Sequence, residues 1–395
     1  MSDFAVSGHW SNSFDEAGLQ VWAQRLRQSL HAPGVSLGLL FTTPHYFDDA
    51  ARILEILSVH AEIPLLLGCS STSLIMGGQE IEQEPGLVLA LFYLPGAELR
   101  GCHFTQEQVE EANGPGYWAL ETGLTAEQIN GWLAFVDPFH MDAEAWLRGW
   151  NEAFATKPIV GGLASGDFAQ RTTQLYLDGD VFEEGGVAVA VAGEVELQSV
   201  ISQGCTPIGQ TWTITRTESN VIQQIANRPA YEVLQETFAS LSQEEQRKAR
   251  GNLFVGLVVN EYLEDFHRGD FLVRNILDGD LQSGSLSVGA MPRQGQTMQF
   301  QRRDAAAATE DMKVLLDRLN KRLAGRTIYG GCLCTCNGRG HRLFGYPNHD
   351  AGMVQEKLGP IELAGFFCNG EIGPIGERNF LHGYTASLAL FTKRE

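Results

Sequence analysis

Apolar residues recur along this chain at two spacings, and the two alternate. The run "DEAGLQVWAQRLRQSL" places Leu19, Trp22, Leu26 and Leu30 at helical intervals behind Asp15, which predicts an amphipathic helix with an acidic cap. "HYFDDAARILEILSVH" predicts a second. "DAEAWLRGWNEAF" sets Trp146, Trp150 and Phe154 on one helical face. Such a stripe serves either as core packing or as a face for an aromatic ligand, and core is the expectation. "SQEEQRKA" opens with a capping box, Ser242 to Glu245. "DAAAATEDMKVLLDRLNKRLAG" gathers Met312, Leu315, Leu316, Leu319 and Leu323 on one side and stops at Gly325.

Short apolar or alternating runs lie between these helices, bounded by Gly or Asp. They include "VSLGLLFTT", "GLVLALFYL", "GGVAVAVAG", "NLFVGLVVN", "IYGGCLCTC", "ELAGFF" and "YTASLALF". These predict strands. Their mixing with helices along the whole chain predicts an α/β (mixed α+β) protein. Two related domains are expected, each a mixed β-sheet covered by helices, packed as a layered sandwich. The polar stretch 217–252, with Pro229 and "LSQEEQRKARGN", marks the boundary and gives domains 15–225 and 226–395.

Two stretches share one plan. "VSLGLLFTTPHYFDDAARILEILSVHAEIPLLLGCSSTSLIMG" and "TIYGGCLCTCNGRGHRLFGYPNHDAGMVQEKLGPIELAGFFCNGEIG" both read strand, loop, helix, strand, small-residue loop. Gly68 to Gly86 and Gly365 to Gly383 are each 18 residues apart. A related echo, "IVGGLASGDFAQRTTQLYLDGDVFEEGGVAVAVAG", lies between them. Chance likeness of glycine-rich strands is the alternative, and internal duplication is the reading adopted. A strand–helix–strand unit with parallel strands brings both strand ends to one sheet edge, where ligands bind in open α/β sheets. Cys336-Asn337-Gly338-Arg339 is therefore expected beside Cys368-Asn369-Gly370-Glu371.

Composition narrows the function. The 395 residues carry a formal charge of −20, which repels nucleic acid and anionic membrane surfaces. The start, "MSDFAVSGHWSNSFDEAG", has no basic-then-apolar export signal, and no apolar run is long enough for a spanning helix. The expectation is a cytoplasmic chain whose seven cysteines are reduced. No Walker-type or Rossmann-type glycine motif occurs, and no cofactor is expected.

At these loops the sequence resembles the FIST family, a sensory domain pair of bacterial signalling proteins and eukaryotic F-box proteins. The likeness rests on "LLGCSSTSLIMGG", "IVGGLASGDF", "RTESNVIQQIANRPAYEVLQE", "RGDFLVRNILDGDLQSGSLSVGAMPRQGQTMQFQRRD", "CTCNGRG", "GFFCNGEIGPIG" and "LHGYTASLALF", over roughly residues 20 to 391. It implies binding of a small molecule such as an amino acid, with signalling through other proteins. Only a short segment precedes the first helix, so no F-box is expected, and no fused output domain is expected either. A separate signalling protein is the expected partner.

The candidate ligand-binding residues are Ser165, Gly166 and Asp167, then Cys336, Asn337, Gly338 and Arg339, then Asn369, Gly370 and Glu371. Arg339 suits a carboxylate and Glu371 an ammonium, together matching an amino-acid zwitterion. The structural alternative is an Arg339–Glu371 salt bridge. Cys332, Cys334 and Cys336 point to one face of a strand about 7 Å apart. That spacing allows neither a local disulfide nor a shared zinc ion, so no metal is expected. Cys332 and Cys334 read as core residues. Cys336 ends the strand, where a glycine loop and a nearby cation would activate a thiol; a buried inert thiol is the other reading. His341 and His382 are the histidines available as its base. Two rival functions therefore stay open: a hydrolase-like enzyme with Cys336 as nucleophile, and an interaction scaffold without a small ligand.

Overall fold

The structure, a computed structural model, describes residues 4–395. Residues 1–3, the start of the segment read for an export signal, lie outside the described residues. The mixed α/β class holds. The chain forms two compact units, 1–201 with 313–395 and 202–312. Their bounds differ from the expected 15–225 and 226–395, because the chain leaves the first unit and returns to it.

The first unit repeats one plan three times. In the first repeat, strand Ala5–Trp10 leads through helix Glu16–Ser29 to strand Leu37–Thr42, helix Ala50–His60 and strand Leu66–Ser70. A hairpin, Ser73–Met76 with Gln79–Glu82, follows, and strand Leu87–Phe92 closes the repeat. The second has the same order: Ala97–Phe104, two short helices, Gly131–Val136, helix Ala143–Ala153, Ile159–Leu163, a hairpin of Leu175–Leu177 and Asp180–Phe182, then Gly186–Gly193. The third begins at Val195–Ser202 and resumes with helix Ala305–Arg322. It continues as Ile328–Cys336, helix His349–Leu358, Leu363–Cys368, a hairpin of Glu371–Ile375 and Arg378–His382, and Ala386–Lys393.

Each repeat builds one sheet and lends its hairpin to another. The first sheet takes its outer two strands from the second repeat's hairpin, the second sheet from the third repeat's, and the third sheet from the first repeat's. The exchange is cyclic, so each sheet needs the chain of another repeat to be complete.

A glycine fixes the parallel pair in every repeat. Gly68, Gly161 and Gly365 stand opposite Leu40, Ala134 and Leu333. A Cβ at any of them would fall 1.8 to 1.9 Å from the partner's carbonyl oxygen. Only glycine permits this approach. The expected duplication is thus a triplication, and the echo is its second copy. One alignment shifts: Thr43 and Cys336 donate their N–H to the carbonyls of Gly86 and Thr385. Thr385, not Gly383, therefore matches Gly86, because each strand of the third hairpin has five residues against four in the first.

Inward-facing apolar residues of all three sheets share one core. At its centre Phe41, Phe135 and Phe366, one from each sheet, form a triangle with ring centroids 4.9 to 5.3 Å apart. Helices cover the outer faces. Trp146, Trp150 and Phe154 are fully buried there, so the aromatic stripe is core, as expected. Cys332 and Cys334 are core as well. Their sulfurs come to 3.9 Å, closer than the strand spacing predicts, because the side chains lean together; both remain free thiols.

The second unit is a closed barrel. Cys205–Glu218, Thr297–Arg303, Leu253–Val258, Phe271–Asp280, Ser285–Val288 and Val221–Ile225 follow in order around it. Val221–Ile225 pairs back onto Cys205–Glu218 and closes the ring. The stretch 217–252 therefore contributes a strand as well as its expected helices, Ala230–Ser240 and Gln243–Ala249.

Candidate functional site

The three strands that end at Ser70, Leu163 and Cys368 finish at one place. Two residues beyond each fixed glycine stand Ser70, Leu163 and Phe367; four beyond stand Thr72, Ser165 and Asn369. Ser165 N–H donates to the Ser70 carbonyl at 3.2 Å, and Asn369 N–H donates to the Leu163 carbonyl at 3.1 Å. Symmetry calls for a third bond, from Thr72 to Phe367. Instead the Ser165 hydroxyl intervenes: it accepts the Thr72 N–H at 3.0 Å and donates to the Phe367 carbonyl at 2.7 Å. Ser71 Oγ lies 2.8 Å from the same carbonyl oxygen.

A relay of side chains crosses this junction. Thr72 Oγ1 donates to Asn337 Oδ1 at 3.1 Å, Asn337 Nδ2 to Asn369 Oδ1 at 2.8 Å, and Asn369 Nδ2 to the Ala164 carbonyl at 3.0 Å. Three repeats thus contribute to one string of four groups. Thr72 is exposed and both asparagines are half-buried, so the string borders solvent. The Gly370 carbonyl accepts Leu163 N–H at 2.7 Å, which brings that residue to the junction. Gly166 is buried: a Cβ there would meet the Thr172 carbonyl oxygen at 2.4 Å. Asp167 turns away to its own loop, accepting from Ala169 and Gln170 N–H.

Beside the junction, the third repeat buries charge. Arg339 is 1% exposed and Asp350 0%. The guanidinium grips the carboxylate with two bonds, Nε to Oδ2 at 2.7 Å and Nη2 to Oδ1 at 2.8 Å. Thr335 Oγ1 donates to Asp350 Oδ2, and His349 Nδ1 lies 2.8 Å from Oδ1. Burial alone would raise the Asp350 carboxyl; Arg339 and His349 outweigh it and hold it well below the usual range. Burial alone would likewise lower Arg339, and the Asp350 charge reverses that.

Glu371 is fully buried too. Its Oε2 accepts from the Thr385 N–H at 2.9 Å and from the Thr385 hydroxyl. The Cys368 thiol donates to Oε1 at 3.2 Å. Burial, against these bonds, pushes the Glu371 carboxyl up to about 7. Arg339 and Glu371 are thus on the same edge, as the crossover rule expects, yet neither of the two proposed arrangements occurs. They do not pair with each other: Arg339 is held by Asp350. Neither side chain faces solvent, so the zwitterion match fails at these two side chains. They clamp one peptide instead. Arg339 Nη1 approaches the Tyr384 carbonyl at 3.4 Å while Glu371 takes the N–H of the next residue. Tyr384 has φ 64°, a left-handed backbone that costs a tyrosine about 1–2 kcal/mol.

Cys336 is half-buried, and the Gly338 N–H donates to its sulfur at 3.4 Å. Cys368, its register partner, is buried and pushed up by burial and then by Glu371. His382 Nε2 lies 3.0 Å from the Gly373 carbonyl oxygen, and His341 lines a cleft described below.

The sequence reading missed Asp350, Thr385 and Glu80. Glu80, from the first repeat's hairpin, accepts the N–H groups of Asp350 and Ala351 at 2.8 and 3.0 Å. It caps helix His349–Leu358 from about 270 residues away. Among the described residues no group of three or more His, Cys, Asp or Glu side chains is arranged to hold a metal ion.

Residues 36–228 match the FIST N domain and residues 230–374 the FIST C domain. The chain belongs to the FIST family. FIST domains are sensory domains of signal transduction. The junction between the two matched segments falls inside the barrel, so the FIST segments and the compact units divide the chain differently. Uncharacterized protein Rv0628c of Mycobacterium tuberculosis is 36% identical over 373 residues, covering 93% of this chain and 94% of its own. Uncharacterized protein Mb0898c of Mycobacterium bovis is 37% identical over the same span. A cyanuric acid hydrolase from A. caulinodans superposes over 99% of both chains at a TM-score of 0.35 and 9% identity. No helix among the described residues is long and apolar enough to cross a membrane.

Proposed function

We propose that this chain is a small-ligand-binding sensory protein of the cytoplasm, and that a polar metabolite such as an amino acid is read at the junction of the three repeats. The supporting observation is the string Thr72–Asn337–Asn369, in which separate repeats bring amide and hydroxyl groups to one solvent-facing spot. Amides carry both donors and acceptors and can exchange their mutual bonds for bonds to a ligand. Ser165, Gly166, Cys336, Gly338 and Gly370 frame the same spot. Arg339, Asp350 and Glu371 act as positioning residues that hold the loops carrying Asn337 and Asn369. Binding shifts the population of loop arrangements, and a separate signalling protein reads the shift.

Calorimetry against a panel of free amino acids tests this. Heat is expected with at least one member and is lost in Asn337→Ala and Asn369→Ala. No heat with any member, or unchanged affinity in both variants, removes the proposal. A thiol-dependent activity is the second reading, favoured by the half-buried Cys336 sulfur and its Gly338 N–H donor. It requires Cys336 to label with iodoacetamide ahead of the other six cysteines; equal or slower labelling rejects it.

A further inference from the structure

A second feature lies apart from the repeat junction. A cleft of about 600 Å³ is lined by Glu80, Glu82, Gln83, Glu84, His341, Arg342 and Pro347. Its volume is in the range of small-molecule sites. The hairpin of the first repeat forms one wall and the loop after Arg339 the other. Three carboxylates face one guanidinium, so the lining carries net negative charge.

Acidic residues on a surface usually mean only solvation. Here one of them is different. Glu80 is 7% exposed. Its Oε1 is occupied by the two helix N–H groups, but its Oε2 is buried with no hydrogen-bond partner. A buried carboxylate oxygen without a donor is costly. Burial and the Asp350 charge push the Glu80 carboxyl up to about 7, the mark of an acid short of a cation. Glu82 is held in place by accepting the His341 N–H at 2.8 Å, and it lies against Gly340, where a Cβ would meet its Oε2 at 2.7 Å. Among the described residues no group of three or more His, Cys, Asp or Glu side chains is arranged to hold a metal ion, and an organic cation would supply the donor that Oε2 lacks. An ammonium group supplies three N–H donors and a positive charge at one point.

We propose that this cleft binds a small aliphatic diamine or polyamine, with one ammonium on Glu80 Oε2 and a second near Glu82 and Glu84. The site shares no residue with the repeat junction, and either can fail without the other. Glu80 also caps helix His349–Leu358, and that helix carries Asp350. Occupancy of the cleft therefore bears on the helix end that holds Arg339.

The test is calorimetry of the full chain with putrescine and spermidine. Saturable one-site binding is expected. Glu80→Gln and Glu84→Gln should each weaken it about tenfold or more, the scale of one charge-assisted hydrogen bond. Glu377→Gln, at a separate cavity of about 190 Å³, should leave it unchanged. Should Glu80→Gln fail to fold, Glu84→Gln, at an exposed position, reads the same loss. Absence of saturable binding overturns the proposal. So does equal weakening in all three variants, which would mean only general attraction to an acidic protein, or unchanged affinity in folded Glu80→Gln.

Discussion

The first and third repeats carry opposite chemistry on the same backbone plan. After strand Leu37–Thr42, Thr43 closes the turn with a neutral exchange: its hydroxyl donates to the Gly86 carbonyl and accepts the Gly86 N–H. In the third repeat the matching position is Cys336, the last residue of strand Ile328–Cys336. Arg339, Asp350 and Glu371 are then buried around the matching closing strand. The fold tolerates the neutral version, so it does not require the charged one. A buried ion pair is weak evidence for stability, because desolvation offsets most of the Coulomb gain. What the third repeat gains is fixed geometry. Two hydrogen bonds hold Arg339 on Asp350, and Arg339 and Glu371 grip the peptide between Tyr384 and Thr385. Charge is spent where a loop must keep one shape.

The sharpest way to break this contrast is to remove one partner of the buried pair. Arg339→Ala strands Asp350 in the interior and should cost about 3–5 kcal/mol in chemical denaturation. Arg339→Lys should recover only part, since a single ammonium cannot make the two-bond grip. A loss below that of an ordinary surface substitution would contradict the placement.

Gly365→Ala tests the shared plan itself. The added methyl meets a backbone oxygen, which cannot swing aside, and the expected cost is about 3 kcal/mol or more. Gly68→Ala should behave alike, since its clash has the same partner and distance. A large difference between the two would sink the equivalence of the repeats.

A pH series separates the repeats next. The folded chain keeps the Glu371 proton up to about pH 7, whereas an unfolded glutamate loses it near its ordinary value of about 4.3. The folded state thus binds more protons across that window, and stability falls as pH rises through it. Glu80, also pushed up to about 7, adds to the fall. Glu371→Gln should flatten the curve partly and leave the Glu80 share. An unchanged curve, read by urea midpoints, would mean that Glu371 ionises freely.

Ser165→Ala has the smallest expected effect on stability. It removes the hydroxyl bridge between Thr72 and Phe367, at about 1–3 kcal/mol if no water replaces it. A neutral result would show that the third strand end closes directly.

Much of this was legible in the sequence. Asp15 and Ser242 announced their helices through capping and did so correctly. Gly68 and Gly365 marked the parallel pairs because no other residue fits that close approach. The middle repeat stayed an echo: its glycine recurs as Gly161, but Thr43 and Cys336 are replaced there by Asp137, held by His140 and Thr173. The hairpins were hidden because each strand has only three to five residues, and the sheet each hairpin joins is built by another repeat. The barrel was hidden for a similar reason. Its first strand pairs with its last, Cys205 opposite Arg303, and no local period records so distant a pairing. Asp350 could have been suspected as an acid at a helix start after "PNH". Nothing in sequence places Glu80 beside it.

The central claim is that loops from three repeats form one ligand-reading surface. Hydrogen exchange followed by mass spectrometry, with and without a saturating mixture of free amino acids, tests it most directly. The account predicts that segments containing Thr72, Ser165, Asn337 and Asn369 slow together while the barrel segments do not change. Protection of only one of these segments, or of none, would contradict it.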